Sequence, residues 1–219
     1  MNNRLPTLPV QSPVKIDTLF NFSARLLGQT ADGDLSRFRG KVILVVNIAT
    51  HCERTTGELS QMNDLVIKFG NRLAVLAFPC NQFGHQMSVR EDEILQTMKH
   101  IRPGNDFNPH FNLFAPVEVN GHNAHPIYEY LRKVIPIPSD DPLSLVDECK
   151  DVIWSPVTRS DVAWNFEKFL VTPEGRPFKR YSKKLQTVKI TEDIKLLMKK
   201  FGISEEDTAD SHPYNGLRC

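Results

Sequence analysis

The sequence of 219 residues lacks several features that would assign it to a specialised class of protein. Its four cysteines are scattered, with no CxxC pair and no zinc-site spacing. No apolar run approaches the length of about 18 residues that crosses a membrane, and no N-terminal segment resembles a secretory signal. The formal net charge is only +1, so no overall basic field attracts nucleic acid or an acidic membrane. These absences predict a cytoplasmic protein with free thiols and with no metal, nucleic-acid or membrane partner.

What the sequence does contain is ordinary for a globular domain. Apolar residues make up 40% of the chain and charged residues 24%. We expect a single domain over residues 15–203, preceded by a flexible leader over 1–14 and followed by a flexible tail over 204–219. Residues 135–160 contain several prolines and acidic residues without periodicity. This length of irregular chain predicts a functional or interfacial insertion.

The first part of the domain has the pattern of a strand, a helix and a second strand. Residues 42–48 and 73–78 are continuous apolar runs, and residues 56–69 place apolar side chains at helical spacing. This unit predicts two parallel strands covered on both faces. Ser88 and Glu91 have the spacing of a capping box that opens a second helix. Further helices are expected over 125–134 and 191–201, and a β-hairpin over 166–181.

The alternation of strands and helices favours an α/β, thioredoxin-like fold, which has a central mixed β-sheet flanked by helices. We also expect an N-terminal β-hairpin and an interface insertion. A flavodoxin-like sheet is the alternative.

Cys52 lies where this fold would place a ligand site. It follows the first strand at its carboxyl end, and a helix begins a few residues later. A thiol at a helix N-terminus faces unpaired N–H groups and the positive end of the helix dipole, which favour the nucleophilic thiolate. A peroxide oxidises such a thiolate to a sulfenic acid, which a small thiol can reduce. Most free cysteines, however, are small buried apolar residues, so this pattern alone leaves both interpretations open.

Longer motifs carry a resemblance to a known family. Their order and spacing are similar to those of the glutathione peroxidases over about residues 21–201. The segments that carry the resemblance are 40–52, 60–63, 78–86, 102–104 and 164–169. The resemblance implies a peroxidase that uses glutathione to reduce hydrogen peroxide and small organic hydroperoxides, without a bound cofactor.

The resemblance also implies the residues that carry the reaction. In this family a selenocysteine or cysteine at the position of Cys52 reduces the peroxide, and we match the surrounding glutamine, tryptophan and asparagine to Gln82, Trp164 and Asn165. Their N–H groups can stabilise a negatively charged sulfur and a departing hydroxide. Since many animal members carry selenocysteine at this position, the cysteine of this chain predicts slower turnover.

The family pattern further implies how the oxidised sulfur is reduced. Cysteine-type relatives often carry a resolving cysteine in the helix after the segment 78–86, and here residues 89–102 contain none. We therefore expect a mixed disulfide between Cys52 and glutathione, which a second glutathione resolves. Arg102, Arg180, Lys183 and Lys184 lie where the family places the charges that bind the glutathione carboxylates.

Residues 135–159 resemble the insertion through which tetrameric family members associate, so we expect a homotetramer. Two positions depart from the family pattern: Glu53 stands in place of a glycine, and Gly57 in place of an arginine that contacts glutathione. The carboxylate of Glu53 opposes formation of the neighbouring thiolate, and Arg54 could compensate for either change. Two alternatives therefore remain: a thiol peroxidase or redox sensor that uses thioredoxin or relays its disulfide to a partner protein, and a catalytically impaired tetramer.

Overall fold

The computed structural model describes residues 17–88, 90–146 and 149–204. The expected leader over 1–14, and all but the first residue of the expected tail over 204–219, lie outside the described residues. The strands are β1 Ser23–Arg25, β2 Asp32–Asp34, β3 Val42–Ile48, β4 Leu73–Pro79, β5 Asn112–Leu113, β6 Lys168–Val171 and β7 Pro177–Tyr181. The helices are α1 Thr55–Phe69, α2 Glu91–His100, α3 Pro126–Val134 and α4 Thr191–Lys200. No helix in this part of the chain is long and apolar enough to span a bilayer.

Five of the strands form a mixed sheet in the order β5-β4-β3-β6-β7. Strand β4 is parallel to both β3 and β5, whereas β6 is antiparallel to β3 and β7 is antiparallel to β6. Strands β1 and β2 pair as a separate hairpin near the N-terminus. The mixed sheet confirms the predicted thioredoxin-like fold. It rules out the flavodoxin-like alternative, because that fold is built on parallel strands.

Helices cover both faces of the sheet, so every residue of β3 and β4 is buried. The pleat divides their side chains between two cores. Val42, Leu44 and Val46 pack in the core that contains α1, α2 and α4, whereas Ile43 and Val45 pack in the core that contains α3. This double burial fixes the central strand, and with it the position of the loop that leaves its carboxyl end.

The start of α2 differs from the sequence prediction, because the capping box is not formed. The residue before the helix is Arg90, whose side chain makes no capping hydrogen bond. The Glu91 carboxylate instead accepts a hydrogen bond from Arg25 Nη1 over 3.0 Å and binds the second guanidinium nitrogen as well. Ser88 Oγ donates to Glu93 Oε2 over 2.6 Å. A distant arginine on β1 therefore displaces the local partner of Glu91.

The irregular segment over 135–160 contains one short turn of 3-10 helix, Cys149–Asp151, among its described residues. It is held by the pair of Arg132 and Asp161, whose Nη1 and Oδ1 atoms are 2.6 Å apart. Asp161 Oδ2 also accepts hydrogen bonds from Trp154 Nε1 over 2.8 Å and from Thr158 N over 2.9 Å. These buried bonds give the segment a defined path over the sheet despite its lack of regular structure.

Candidate active site

Cys52 lies in the turn between β3 and α1, and only 2% of its surface is exposed. The turn is fixed by two hydrogen bonds: Thr55 N donates to Cys52 O over 3.1 Å, and Thr55 Oγ1 donates to Ala49 O over 2.8 Å. The residue before α1, Arg54, makes no capping hydrogen bond through its side chain. The positive end of the helix dipole therefore faces the loop that carries the thiol, as the sequence predicted.

A cleft of about 630 Å³ opens above this turn. It combines one thiol, one indole, one amide and several charged side chains. Its lining residues are His51, Cys52, Glu53, Arg54, Gln86, Arg102, Trp164, Lys183 and Lys184. Of the eight residues that the sequence analysis proposed for the site, five are thus in the cleft lining, and Gln82, Asn165 and Arg180 are not.

Gln82 faces away from the cleft, which corrects the role assigned to it. Its Oε1 accepts hydrogen bonds from Val119 N over 2.8 Å and from Asn120 N over 3.0 Å. Its Nε2 donates to Asn120 O over 3.0 Å. The Gln82 amide therefore fastens the loop after β5 to the end of β4. The glutamine in the cleft lining is Gln86, whose main-chain oxygen accepts a hydrogen bond from His51 N over 2.9 Å.

Asn165 is fully buried and is hydrogen-bonded to the side chain of Gln86. Its Nδ2 donates to Gln86 Oε1 over 2.8 Å. The sequence analysis predicted that the Asn165 amide hydrogens contact the sulfur. The structure instead shows that this amide donates to Gln86 and orients it. Because the Gln86 oxygen is engaged from behind, the Nε2 of the same amide is the atom free to face the cleft. The buried Asn165 Oδ1 has no hydrogen-bond partner among the described residues.

A bend in the main chain brings Trp164 and Asn165 to this position. Phe166 has a φ of +64°, a left-handed conformation that costs a bulky residue about 1–3 kcal/mol. Asn47 at the end of β3 holds both sides of the bend: its main-chain oxygen accepts from Phe166 N over 2.8 Å, and its Nδ2 donates to Trp164 O over 3.0 Å. The sheet thereby supports the local strain that aims the tryptophan into the cleft.

Three cationic side chains line the cleft around the sulfur. Arg102 Nη1 donates to Cys52 O over 2.9 Å and to His51 O over 3.2 Å. Lys183 Nζ lies 5.6 Å from the centre of a Trp164 ring. Lys184 Nζ lies 2.8 Å from Asp141 Oδ2. Neutral carbonyl groups do not cancel the Arg102 charge, so an anionic ligand would find at least this cation available.

Arg54 is the fourth cation, and it is tied to a buried carboxylate beneath the cleft. Its Nη2 lies 2.9 Å from Glu58 Oε1 and donates to Lys184 O over 3.4 Å. Glu58 Oε2 accepts from Thr187 Oγ1 over 2.6 Å and lies 3.2 Å from Lys168 Nζ. Burial lowers the pKa of Lys168. One carboxylate therefore joins α1, β6 and the segment that carries the two cleft lysines.

Arg180, which the sequence analysis assigned to glutathione, is 1% exposed and lies outside the cleft lining. Its guanidinium pairs with Glu167, with Nη2 and Oε2 2.7 Å apart. It also donates to the main-chain oxygens of Pro136, Ser160 and Asp161 over 2.7, 2.9 and 2.8 Å. The assignment of Arg180 to glutathione binding is therefore wrong. Arg180 is a buried structural residue that holds both ends of the segment 135–160 against β7.

Comparison with known proteins identifies the family. A family model described as glutathione peroxidase matches residues 19–132. Glutathione peroxidase 1 of Rattus norvegicus is 48% identical over 190 residues, which covers 86% of this chain and 94% of the relative. Glutathione peroxidase 2 of Homo sapiens is 51% identical over 166 residues, with coverage of 76% and 87%.

Solved structures show the same architecture. The crystal structure of T. cruzi GPX1 superposes with a TM-score of 0.59 at 26% identity, covering 84% of this chain and 97% of the other. The apo crystal structure of Trgpx gives a TM-score of 0.58 at 26% identity, with coverage of 84% and 98%. The family model and the relatives show that this chain belongs to the glutathione peroxidase family and is a peroxidase, an oxidoreductase that acts on peroxides.

Proposed function

We propose that Cys52 reduces hydrogen peroxide and small organic hydroperoxides, and that glutathione, without a bound cofactor, returns it to the thiol. The observation that carries the proposal is the position of the Cys52 sulfur, at the start of a helix and within a cleft lined by an amide, an indole and several cations. The catalytic set that we propose is Cys52, Gln86 and Trp164, with Asn165 as the positioning residue behind Gln86.

In the first step the Cys52 thiolate attacks one oxygen of the peroxide. A sulfur–oxygen bond forms while the oxygen–oxygen bond breaks, and the departing hydroxide or alkoxide takes up a proton. The Gln86 amide and the Trp164 indole are N–H donors and can stabilise the negative charge that develops on the leaving oxygen. The products are a sulfenic acid on Cys52 and a molecule of water or alcohol.

Two glutathione molecules supply the two electrons that reduce the sulfenic acid. The thiolate of the first attacks the Cys52 sulfur, a disulfide forms and the hydroxyl group leaves as water. The thiolate of the second attacks the glutathione sulfur of this mixed disulfide, which releases the Cys52 thiolate and glutathione disulfide. Arg102 and Lys183 are the cations that we propose for the glutathione carboxylates, because they line the cleft beside the sulfur.

A single-cysteine cycle is supported by the environment of Cys80. This thiol is fully buried, its Sγ donates to Gln82 Oε1 over 3.7 Å, and burial raises its pKa to about 12. A thiol with such a pKa is a poor attacking group near neutral pH. Cys219 lies outside the described residues, as does the side chain of Cys149. We propose a cytoplasmic location, because free thiols persist in that compartment.

The test is a steady-state assay in which glutathione reductase couples peroxide reduction to NADPH consumption. We expect turnover with both hydrogen peroxide and tert-butyl hydroperoxide, abolished by Cys52→Ser and unchanged by Cys149→Ser and Cys219→Ser. Turnover with thioredoxin but not with glutathione would overturn the proposed reductant. A protein whose Cys52 oxidises but is not reduced by either would instead fit the sensor alternative.

We also propose a homotetramer assembled through the segment 135–160. This segment exposes several large apolar side chains, which is uncommon on a surface that stays in water. They are Ile137, Leu143, Leu145, Ile153 and Val157, with exposures from 41% to 84%. Size-exclusion chromatography with light scattering should give four times the chain mass. Leu143→Glu should lower that mass and the matched Ile67→Glu on α1 should not, whereas a monomeric parent protein would contradict the proposal.

A further inference from the structure

Glu53 is the one charged residue of the cleft lining that has no partner among the described residues. It directly follows Cys52 in the chain and is exposed on the cleft. No hydrogen bond or ion pair joins its carboxylate to any described side chain, although four cations line the same cleft. The unpaired anion requires an explanation, since opposite charges in such proximity usually associate.

The structure shows why the nearest cation does not neutralise it. The Arg54 guanidinium lies against Glu58, a buried carboxylate with 3% of its side chain exposed, at 2.9 Å. Attraction to a buried charge is screened less by water than attraction to an exposed one, so Glu58 outcompetes the exposed Glu53 for this guanidinium. The suggestion that Arg54 compensates for Glu53 is therefore not supported by the geometry.

Arg102 and Lys184 do not pair with Glu53 either. Arg102 directs a guanidinium nitrogen to the main-chain oxygens of His51 and Cys52, and Lys184 pairs with Asp141. Glu53 is thus an unpaired anion in the cleft that contains the reactive sulfur. The other charged side chains that line this cleft are basic. A ligand that matches this pattern carries negative groups together with one positive group.

We propose that Glu53 binds the α-ammonium group at the γ-glutamyl end of the thiol co-substrate. The inference rests on the proposed function, in which that co-substrate is glutathione, a peptide with two carboxylates and one ammonium. Adjacent Cα atoms are about 3.8 Å apart, and Glu53 and Cys52 line the same cleft. A flexible tripeptide can place its thiol on the sulfur and its ammonium on Glu53 at the same time.

The test compares glutathione with glutaryl-cysteinylglycine, which has the same thiol and carboxylates but lacks the amino group. The value of kcat/KM for each thiol is measured with the full-length protein at saturating hydrogen peroxide. Because Glu53 is exposed, we expect the parent protein to prefer glutathione by about two- to five-fold, and the preference to fall in high salt. In Glu53→Gln the ratio of the two kcat/KM values should approach one.

Glu174→Gln is the matched control, because it removes an exposed carboxylate from the turn at the opposite end of β6. It should keep the preference of the parent protein. A ratio that is the same in the parent and in Glu53→Gln would overturn this inference while leaving the proposed function intact. Absence of peroxide consumption with either thiol in the parent protein would overturn the proposed function, and the inference with it.

Discussion

The Asn165 side chain donates from Nδ2 to Gln86 Oε1 over 2.8 Å, which joins the bend after residue 163 to the loop after β4. The two side chains come from segments 79 positions apart in the chain. Asn165 is fully buried, whereas Gln86 reaches the cleft. The hydrogen bond thereby fixes which end of the Gln86 amide faces the cleft, since Asn165 holds the oxygen and leaves the N–H group for the cleft.

The first prediction separates the two glutamines of the segment 78–86. Gln86→Ala removes a cleft donor, so the second-order rate constant for oxidation of Cys52 by hydrogen peroxide should fall by about ten- to a hundredfold. It also leaves the buried Asn165 Nδ2 without its acceptor, so the free energy of unfolding should fall by about 1–3 kcal/mol. Gln82→Leu leaves the buried N–H groups of Val119 and Asn120 without their acceptor. It should lower the free energy of unfolding by about 2–4 kcal/mol while the folded protein keeps its rate constant.

Stopped-flow fluorescence and urea unfolding of the two variants provide the measurements. The opposite pattern, in which Gln82→Leu slows peroxide reduction in the folded protein and Gln86→Ala does not, would return the catalytic role to Gln82.

The second prediction tests whether Arg180 has a structural role and not a role in binding glutathione. Arg180→Met leaves the fully buried Glu167 carboxylate, whose pKa is already raised by burial, without its counter-ion. Removal of one partner from a buried pair costs about 3–5 kcal/mol, so urea unfolding should show a loss of this size. The KM for glutathione of the remaining folded protein should not change. A near-normal stability combined with a raised KM would show instead that Arg180 binds the substrate.

The third prediction concerns Arg102 as a cation for glutathione. Arg102→Gln removes the charge beside the Cys52 carbonyl, so kcat/KM for glutathione should fall by about tenfold, the effect of losing one hydrogen bond to a charged group. Lys195→Gln is the control, because this exposed lysine lies on α4, outside the cleft lining, and pairs with Glu192. Equal kinetics in the two variants would exclude Arg102 from glutathione binding.

The fourth prediction is a pH dependence that arises from His125. Burial lowers the pKa of this residue below its usual value of 6.5, and its Nδ1 accepts a hydrogen bond from Ile127 N over 3.3 Å at the start of α3. The unfolded chain therefore binds more protons between the two pKa values. The stabilising contribution is complete above pH 6.5 and is lost as the pH falls from 6.5 through the pKa of the folded protein.

Thermal unfolding at about pH 7.5 and pH 5.0 tests this dependence. His125→Asn keeps a neutral capping side chain, so its melting temperature should fall less on acidification than that of the parent protein. His122→Asn, at an exposed position, should behave like the parent. If acidification lowers the melting temperature of the parent and of His125→Asn by the same amount, the dependence lies elsewhere.

The sequence predicts the framework well, because the framework depends on local patterns. The continuous apolar runs of β3 and β4 and the helical spacing of α1 are properties of neighbouring residues, and together they place Cys52 between a strand end and a helix start. The capping box of α2 fails for the opposite reason. Its glutamate is taken by Arg25, which is 66 positions away.

The side-chain roles depend on such distant contacts, and there the sequence is insufficient. Gln82 and Gln86 lie in one motif, and the choice between them is made by the turn at Gly84 and His85, both with positive φ, and by the loop that Gln82 binds. Arginine is a residue type that usually lies on the surface, so the sequence alone places Arg180 there. Only the packing of the segment 135–160 against β7 shows that it is buried.

The central claim, a peroxidase cycle carried by Cys52 and reduced by glutathione, is tested most directly by mass spectrometry of the intact protein. One equivalent of hydrogen peroxide should add one oxygen atom to Cys52. One equivalent of glutathione should then replace that oxygen with a glutathionyl group on the same residue, and excess glutathione should restore the original mass. Oxygen addition at another cysteine, or a disulfide within the chain in place of the glutathionyl adduct, would contradict the account.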